Sequence, residues 1–322
     1  MYCLELAGED DAFAAAEARA AAADGVERVA PGVALAADVA LERVSVLAYT
    51  RHADVLLARA DASVAAAADA LADCALERSG SVAVRARDVR NTTGVDTQRA
   101  ERELGTVLVE RGFTVDLDDP DHELRALFGG QECFLGWHAA ASVRDYGERK
   151  PTDRPFFQPG SMDPLLARAL CNLAGARAGD TLLDPMCGTG GVLIEAGLVG
   201  AHALGNDAQE KMVRGASENL DAFLDDYDVV RGDATRLGLS ADAVDCVVFD
   251  APYGRQSKIE THGLADLVAG ALAEARRVAT GRCVLVADRD WRDAARDAGW
   301  RVDERFVRRV HRSLDRHVLV LE

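Results

Sequence analysis

The sequence predicts an α/β protein: a C-terminal doubly wound, Rossmann-like sheet of seven strands, preceded by an α+β N-terminal region. Three observations predict it. From Ser161 onward, short apolar runs alternate with helical stretches, the signature of a parallel sheet covered on both faces. Before Ser142, strand-like runs and alanine-rich helices follow a looser order. Between them Tyr146, Gly147, Pro151, Pro155 and Pro159 break any periodicity, as a linker does. The expected organisation is therefore an N-terminal region 1–141, a linker 142–160 and a Rossmann-like domain 161–322.

Taken in order, Met1 to Leu6 and Val44 to Tyr49 read as strands, Asp10 to Ala23 as a helix, and Ala53 to Leu76 as a helix or helices broken by turns. Ser81 to Arg87 alternates as a strand should, and Gln98 to Arg111 reads as a helix stopped by Gly112. Thr114 to Leu117 reads as a strand, and Glu123 to Ala139 as further strands. In the C-terminal region helices are expected at Asp163 to Ala174, Gly191 to Val199, Gln209 to Phe223, Leu264 to Ala279 and Trp291 to Ala298. The interleaved strands end at Asp184 and Asp207, pass Val229, end at Asp250 and Ala287, and close around Val302 and His317 to Leu321.

With 322 residues and 49% hydrophobic content, the chain is long enough for two cores. No run suggests a membrane span, and the first residues lack a basic segment before an apolar one, so a cytoplasmic location is expected. The seven cysteines are scattered without a Cys-x-x-Cys pair, and no metal site is expected. A net charge of −17 is unusual for a nucleic-acid binder, yet lysine occurs only at 150, 211 and 258, so nearly every cation is arginine. That composition resembles proteins of extreme halophiles, where salt screens long-range charge; a high-GC genome is the rival explanation. Local arginine clusters would then carry any phosphate contact.

The candidate site begins with Asp184-Pro185-Met186-Cys187-Gly188-Thr189-Gly190-Gly191, a strand, a glycine turn and a helix start. Such turns present backbone N–H groups to a nucleotide-like ligand, although a structural turn is the ordinary alternative. Three further acids follow apolar runs: Asp207, Asp233 (before Ala234) and Asp250. Asp207 lies 23 residues after Asp184, near the interval at which an acid meets ribose hydroxyls; its rival role is a surface turn. Asp233 would accept from an adenine amine or simply cap the next segment.

Asp250-Ala251-Pro252-Tyr253 narrows the chemistry. The lone pair of a nucleobase amine is delocalised into the ring, so the nitrogen is a poor nucleophile until acceptors orient its hydrogens. Asp250 and the carbonyls of Ala251 or Pro252 suit that task, and Tyr253 can stack on an extruded base. The alternative is a Pro-Tyr turn that packs one edge of the sheet.

These residues resemble class I S-adenosylmethionine-dependent methyltransferases of the amino-methylating group, whose motif here is Asp/Asn-Pro-Pro-aromatic; Ala251 replaces the first proline. More closely, Arg154 to Gly175, Asp184 to Gly191, Met212 to Leu220 and Arg309 to Leu314 look like the THUMP-containing tRNA guanine-N2 methyltransferases, whose archaeal members modify guanosine 10. The resemblance is specific over 154–322. In the N-terminal region it is looser and rests on element order and Val84 to Arg90, as in a THUMP module. It implies a cofactor, S-adenosylmethionine, held by Phe157, Pro159, Gly160 and Ser161 at the methionine end. Asp184, Pro185, Cys187, Gly188, Thr189 and Gly190 would line its carboxylate and ribose side. Asp207 would take the ribose, Asp233 and Ala234 the adenine, with Asp250 between cofactor and base. The catalytic set would be Asp250, Ala251, Pro252 and Tyr253. A tRNA substrate, no membrane and a monomer are expected, with a small activating protein left open. Guanine N2 of ribosomal RNA, adenine N6 of a nucleic acid, or a non-catalytic role in RNA binding or tRNA folding are the alternatives.

Overall fold

The computed structural model describes residues 1–252, 263–311 and 314–322, which divide into two compact units, Met1–Val143 and Arg144–Glu322. Tyr253, Arg255, Lys258, Arg312 and Ser313 lie outside the described residues.

The first unit runs β1 (Tyr2–Leu6), α1 (Asp11–Ala21), β2 (Ala23–Asp24), β3 (Glu27–Ala30), β4 (Val33–Ala36), β5 (Asp38–Val39), α2 (Leu41–Val44) and β6 (Thr50–Asp61). It continues through α3 (Val64–Asp73), β7 (Ser81–Asp88), α4 (Thr97–Glu110), β8 (Thr114–Val115), β9 (His122–Gly129) and β10 (Glu132–Ala141). Eight strands form one mixed sheet in the order β3-β4-β1-β6-β10-β9-β7-β8, while β2 and β5 pair separately. One face packs Val82, Val84, Leu124, Phe128, Leu135 and Trp137 against Leu71 of α3 and Leu104 and Leu108 of α4.

Two expectations for this unit fail, each for a tertiary reason. The residues from 53 to 61, helical by composition, are strand, because β6 lies between β1 and β10 and pairs with both. β1 pairs with this stretch as far as Val55 and β10 through Asp61, and that pairing outweighs the helix preference of Ala, Leu and Arg. Val44 to Tyr49 is not a strand: Glu17, fully buried on α1, accepts the N–H groups of Ala48 (2.6 Å) and Tyr49 (2.7 Å) that a neighbouring strand would otherwise take.

The second unit runs α5 (Pro164–Leu173), β11 (Thr181–Asp184), α6 (Gly191–Leu198), β12 (His202–Asp207), α7 (Glu210–Leu220), β13 (Tyr227–Arg231) and β14 (Cys246–Asp250). It closes with α8 (Leu264–Val278), β15 (Cys283–Ala287), α9 (Arg292–Asp297), β16 (Val302–His311) and β17 (Leu314–Leu321). The seven-stranded order is β13-β12-β11-β14-β15-β17-β16. β11 to β15 are parallel and β17 is antiparallel to both its neighbours. The C-terminal Rossmann-like sheet and the mixed N-terminal unit are as the sequence predicts. β11 is the switch point, with successive strands departing to either side, and ligands of such sheets gather beyond the carboxyl ends there.

The stretch expected to link the units, 142–160, carries two short 3-10 turns, Tyr146–Arg149 and Pro151–Asp153. Arg149 is buried against α6, its Nε 2.8 Å from Glu195, whose other oxygen lies 2.8 Å from Arg168 of α5. Six of the seven cysteines are buried, all are free, and burial pushes the Cys133 and Cys246 thiols up to about 12. Among the described residues no helix is long and apolar enough to cross a membrane, and no group of three or more His, Cys, Asp or Glu is placed to hold a metal.

Candidate active site

Leu182 and Leu183 are buried between β12 and β14, so β11 can release its chain only at its carboxyl end, at Asp184. Beyond it the chain folds tightly. Cys187 N–H donates to the Asn206 carbonyl (2.9 Å) and Gly190 N–H to the Cys187 carbonyl (2.8 Å). Gly190 caps α6 at φ 77°, a left-handed backbone that a side chain would strain. Gly188 N–H donates to Asp207 Oδ2 at 3.0 Å, so the turn after β11 and the acid at the end of β12 form one structure. The other Asp207 oxygen accepts the N–H of Gln209 (2.9 Å).

Asp184 is 2% exposed and accepts the Met186 N–H at 3.0 Å. Burial above all, and then the charges of Asp207 and Asp250, hold its carboxyl well above the usual carboxylate range; the Met186 hydrogen bond opposes them. Three acids therefore share one edge at the ends of adjacent strands, in the order β12, β11, β14. Asp250 is half-buried, and the N–H of buried Ala251 donates to the Val286 carbonyl at 2.8 Å, carrying the β15 pairing one residue past the acid. Pro252 follows, half-buried. Asp233 is partly exposed and accepts the N–H and hydroxyl of Thr235, both at 2.8 Å; it does cap its turn. Ala234 beside it is buried.

The segment before α5 is bound to this edge. Ser161 Oγ donates to the Gln158 carbonyl (2.7 Å) and lies 3.0 Å from Thr189 Oγ1. Asn219, fully buried on α7, accepts the Phe156 N–H (2.8 Å) and donates to the carbonyls of Phe156 and Thr189 (2.9 Å each). The Phe156 ring occupies the space of a side chain at Gly215, where an added Cβ would come within 2.1 Å of it. Lys211 holds its Nζ 5.5 Å from that ring and 3.1 Å from Gln158 Oε1.

Of the expected site residues, Ser161, Asp184, Pro185, Cys187, Gly188, Thr189, Gly190 and Asp207 come together around one turn. Asp233 and Ala234 join through Asn206, whose side chain donates to the carbonyls of Pro185 (2.9 Å) and Gly232 (3.1 Å). Pro159 and Gly160 are exposed, and Phe157 is 48% exposed. Sequence reasoning missed Asn206 and Asn219, the two amides that lace the loops together. Their signal was a polar side chain on a buried position, and Asn219 shares the buried face of α7 with Gly215, Ala216 and Leu220.

A family of proteins described as RMKL-like, methyltransferase domain, matches residues 151–317, just over half the chain. The chain belongs to this methyltransferase family. Its relatives include the tRNA (guanine(10)-N2)-dimethyltransferase of Methanothermobacter thermautotrophicus, 39% identical over 80% of this chain and 79% of that one. The enzyme of the same description from Pyrococcus abyssi is 34% identical over 76% and 74%. Among solved structures, TrmN from Thermus thermophilus aligns with a TM-score of 0.51 and 25% identity, covering 100% of this methyltransferase and 99% of TrmN. The seven-stranded unit built around the turn after Asp184 is thus the methyltransferase domain.

Proposed function

We propose that this protein transfers methyl from S-adenosylmethionine to N2 of guanine in tRNA, at guanosine 10, once or twice. The observation that carries the reading is the shared edge of Asp184, Asp207 and Asp250 around a glycine turn. S-adenosylmethionine supplies an electrophilic methyl group on a positively charged sulfur. An edge whose buried Asp184 answers to two further carboxylates suits a ligand with cationic sulfonium and ammonium centres. Asp184 and the backbone of Cys187 to Gly190 would hold the methionine end, Asp207 the ribose and Asp233 with Ala234 the adenine. Phe157, Pro159, Gly160 and Ser161 would cover it.

Asp250 and the carbonyls of Ala251 or Pro252 accept the two amine hydrogens, which turns the nitrogen lone pair out of conjugation and toward the methyl group. The N–C bond forms as the S–C bond breaks, and an amine proton passes to Asp250 Oδ. Tyr253, outside the described residues, would stack on the base. In this reading residues 1–141 grip the RNA in the manner of a THUMP module, 142–160 connect, and 161–322 transfer methyl, in a cytoplasmic monomer.

The test is incubation with labelled cofactor and unmodified tRNA, followed by nucleoside mapping. Label at guanosine 10 is expected, whereas label on adenosine or DNA alone would overturn the assignment. Asp250→Ala should lower kcat by about 10²–10³-fold, the scale of one positioned electrostatic partner, with cofactor binding by calorimetry retained. Equal loss of both would put Asp250 in the cofactor pocket alone.

A further inference from the structure

The closing hairpin of the second unit projects past the sheet on the side of the acids. His317 pairs with Ala287, the last residue of β15, so Leu314 to Arg316 begin β17 beyond the carboxyl ends of the parallel strands. On β16, Arg308 to His311 follow Val307, the partner of His317. Three residues of overhang at strand rise amount to about 10 Å. Asp250 lies at the level of Val286, one rung below Ala287, with only β15 between its strand and β17. The overhang therefore stands beside the approach to Asp250.

Its charge departs from that of the chain. Residues 305–317 hold five arginines against one aspartate, in a protein of net charge −17. Arg305 pairs with Asp290 (3.6 Å), and Arg309 stands opposite Asp315. At the rung between Arg309 and Val307, Arg308 and Arg316 stand directly opposite one another. Two guanidinium groups on one rung match the several acceptor oxygens of a phosphodiester.

We infer that Arg308 and Arg316 form a phosphate clamp for the RNA strand that carries the target base. The clamp rests on the tRNA reading above and adds to it a place where the backbone is held while the base enters at Asp250. A protein with an acidic surface is the competing occupant.

The experiment measures tRNA binding to the full chain across a salt series, by anisotropy, for wild type, Arg308→Gln/Arg316→Gln and Arg296→Gln. Arg296 lies on α9, 2.9 Å from Asp293, and serves as a control for lost surface charge. Wild-type affinity should fall linearly in log salt. The double variant should bind about tenfold or more weakly at low salt, with a slope shallower by about 1 per lost contact. Its cofactor affinity should be unchanged. Wild-type affinity and slope in the double variant would overturn the clamp and leave the methyltransferase reading standing. Clamp-dependent binding without methyl transfer would do the reverse, and no tRNA binding by wild type would remove both.

Discussion

In the N-terminal unit Glu5 and Asp54, each 1% exposed, are matched by arginine. Arg125 contacts both, Arg87 reaches Glu5 at 3.0 Å, and His138 Nδ1 lies 3.2 Å from Asp54. At the carboxyl edge of the second unit Asp184 is as deeply buried, yet the charges acting on it are those of two other acids. The first arrangement is complete within the chain. We propose that a cationic ligand completes the second, and the contrast separates scaffold from candidate site more sharply than burial does.

The largest test of that contrast is Glu5→Gln. It should cost up to about 3 kcal/mol, because buried Arg125 loses one of the two buried carboxylates it contacts and keeps Asp54, while cofactor affinity measured by calorimetry stays at the wild-type value. A matching loss of affinity would break the distinction. Asp184→Asn should do the opposite. Cofactor affinity should fall by about 10–100-fold, the value of a charged hydrogen bond, with the thermal midpoint held or raised.

The pH dependence follows from the same acid. Asp184 keeps its proton to higher pH in the folded chain than in the unfolded one, so the ligand-free protein loses stability as pH rises from the ordinary carboxylate range toward the raised value. A cationic ligand favours the ionised form, so cofactor binding should tighten over that interval and release a proton. Calorimetry in buffers of different ionisation enthalpy reads this directly, and Asp184→Asn should erase it. A smaller effect is expected at Gly215→Ala. In an open helix the change stabilises by about 1 kcal/mol, but here the new methyl meets Phe156 and overpacking costs about 1–3 kcal/mol. The net change should be a lower melting temperature and a higher KM for the cofactor; a more stable variant would show that Phe156 is not held where it lies.

The two units also differ in how far the sequence reveals them. The second is built of local βα repeats, and β11, β12 and β14 end in acids, so periodicity finds its strands in order and Asp184, Asp207 and Asp250 mark the edge of the candidate site. The first depends on distant pairing. Residues 53–61 have a helix-forming composition and become strand because β10, joined by β1 as far as Val55, pairs with them, and Ala48 and Tyr49 are fixed by a carboxylate 31 and 32 residues away. Within the site, glycine turns and strand-end acids are legible because backbone geometry demands those residue types. Asn206 and Asn219 are not, because an asparagine looks the same in sequence whether it bonds water or three carbonyl and amide groups of other loops.

Those two amides also bear on how long the protein keeps its chemistry. Deamidation would replace a donating nitrogen with an acceptor oxygen that faces the carbonyls of Thr189 and Phe156, or of Pro185 and Gly232, and push the loops apart. The reaction requires the following backbone nitrogen to swing onto the side chain, and β12 and α7 hold that nitrogen in place. The active edge should therefore age only as fast as that strand and helix open.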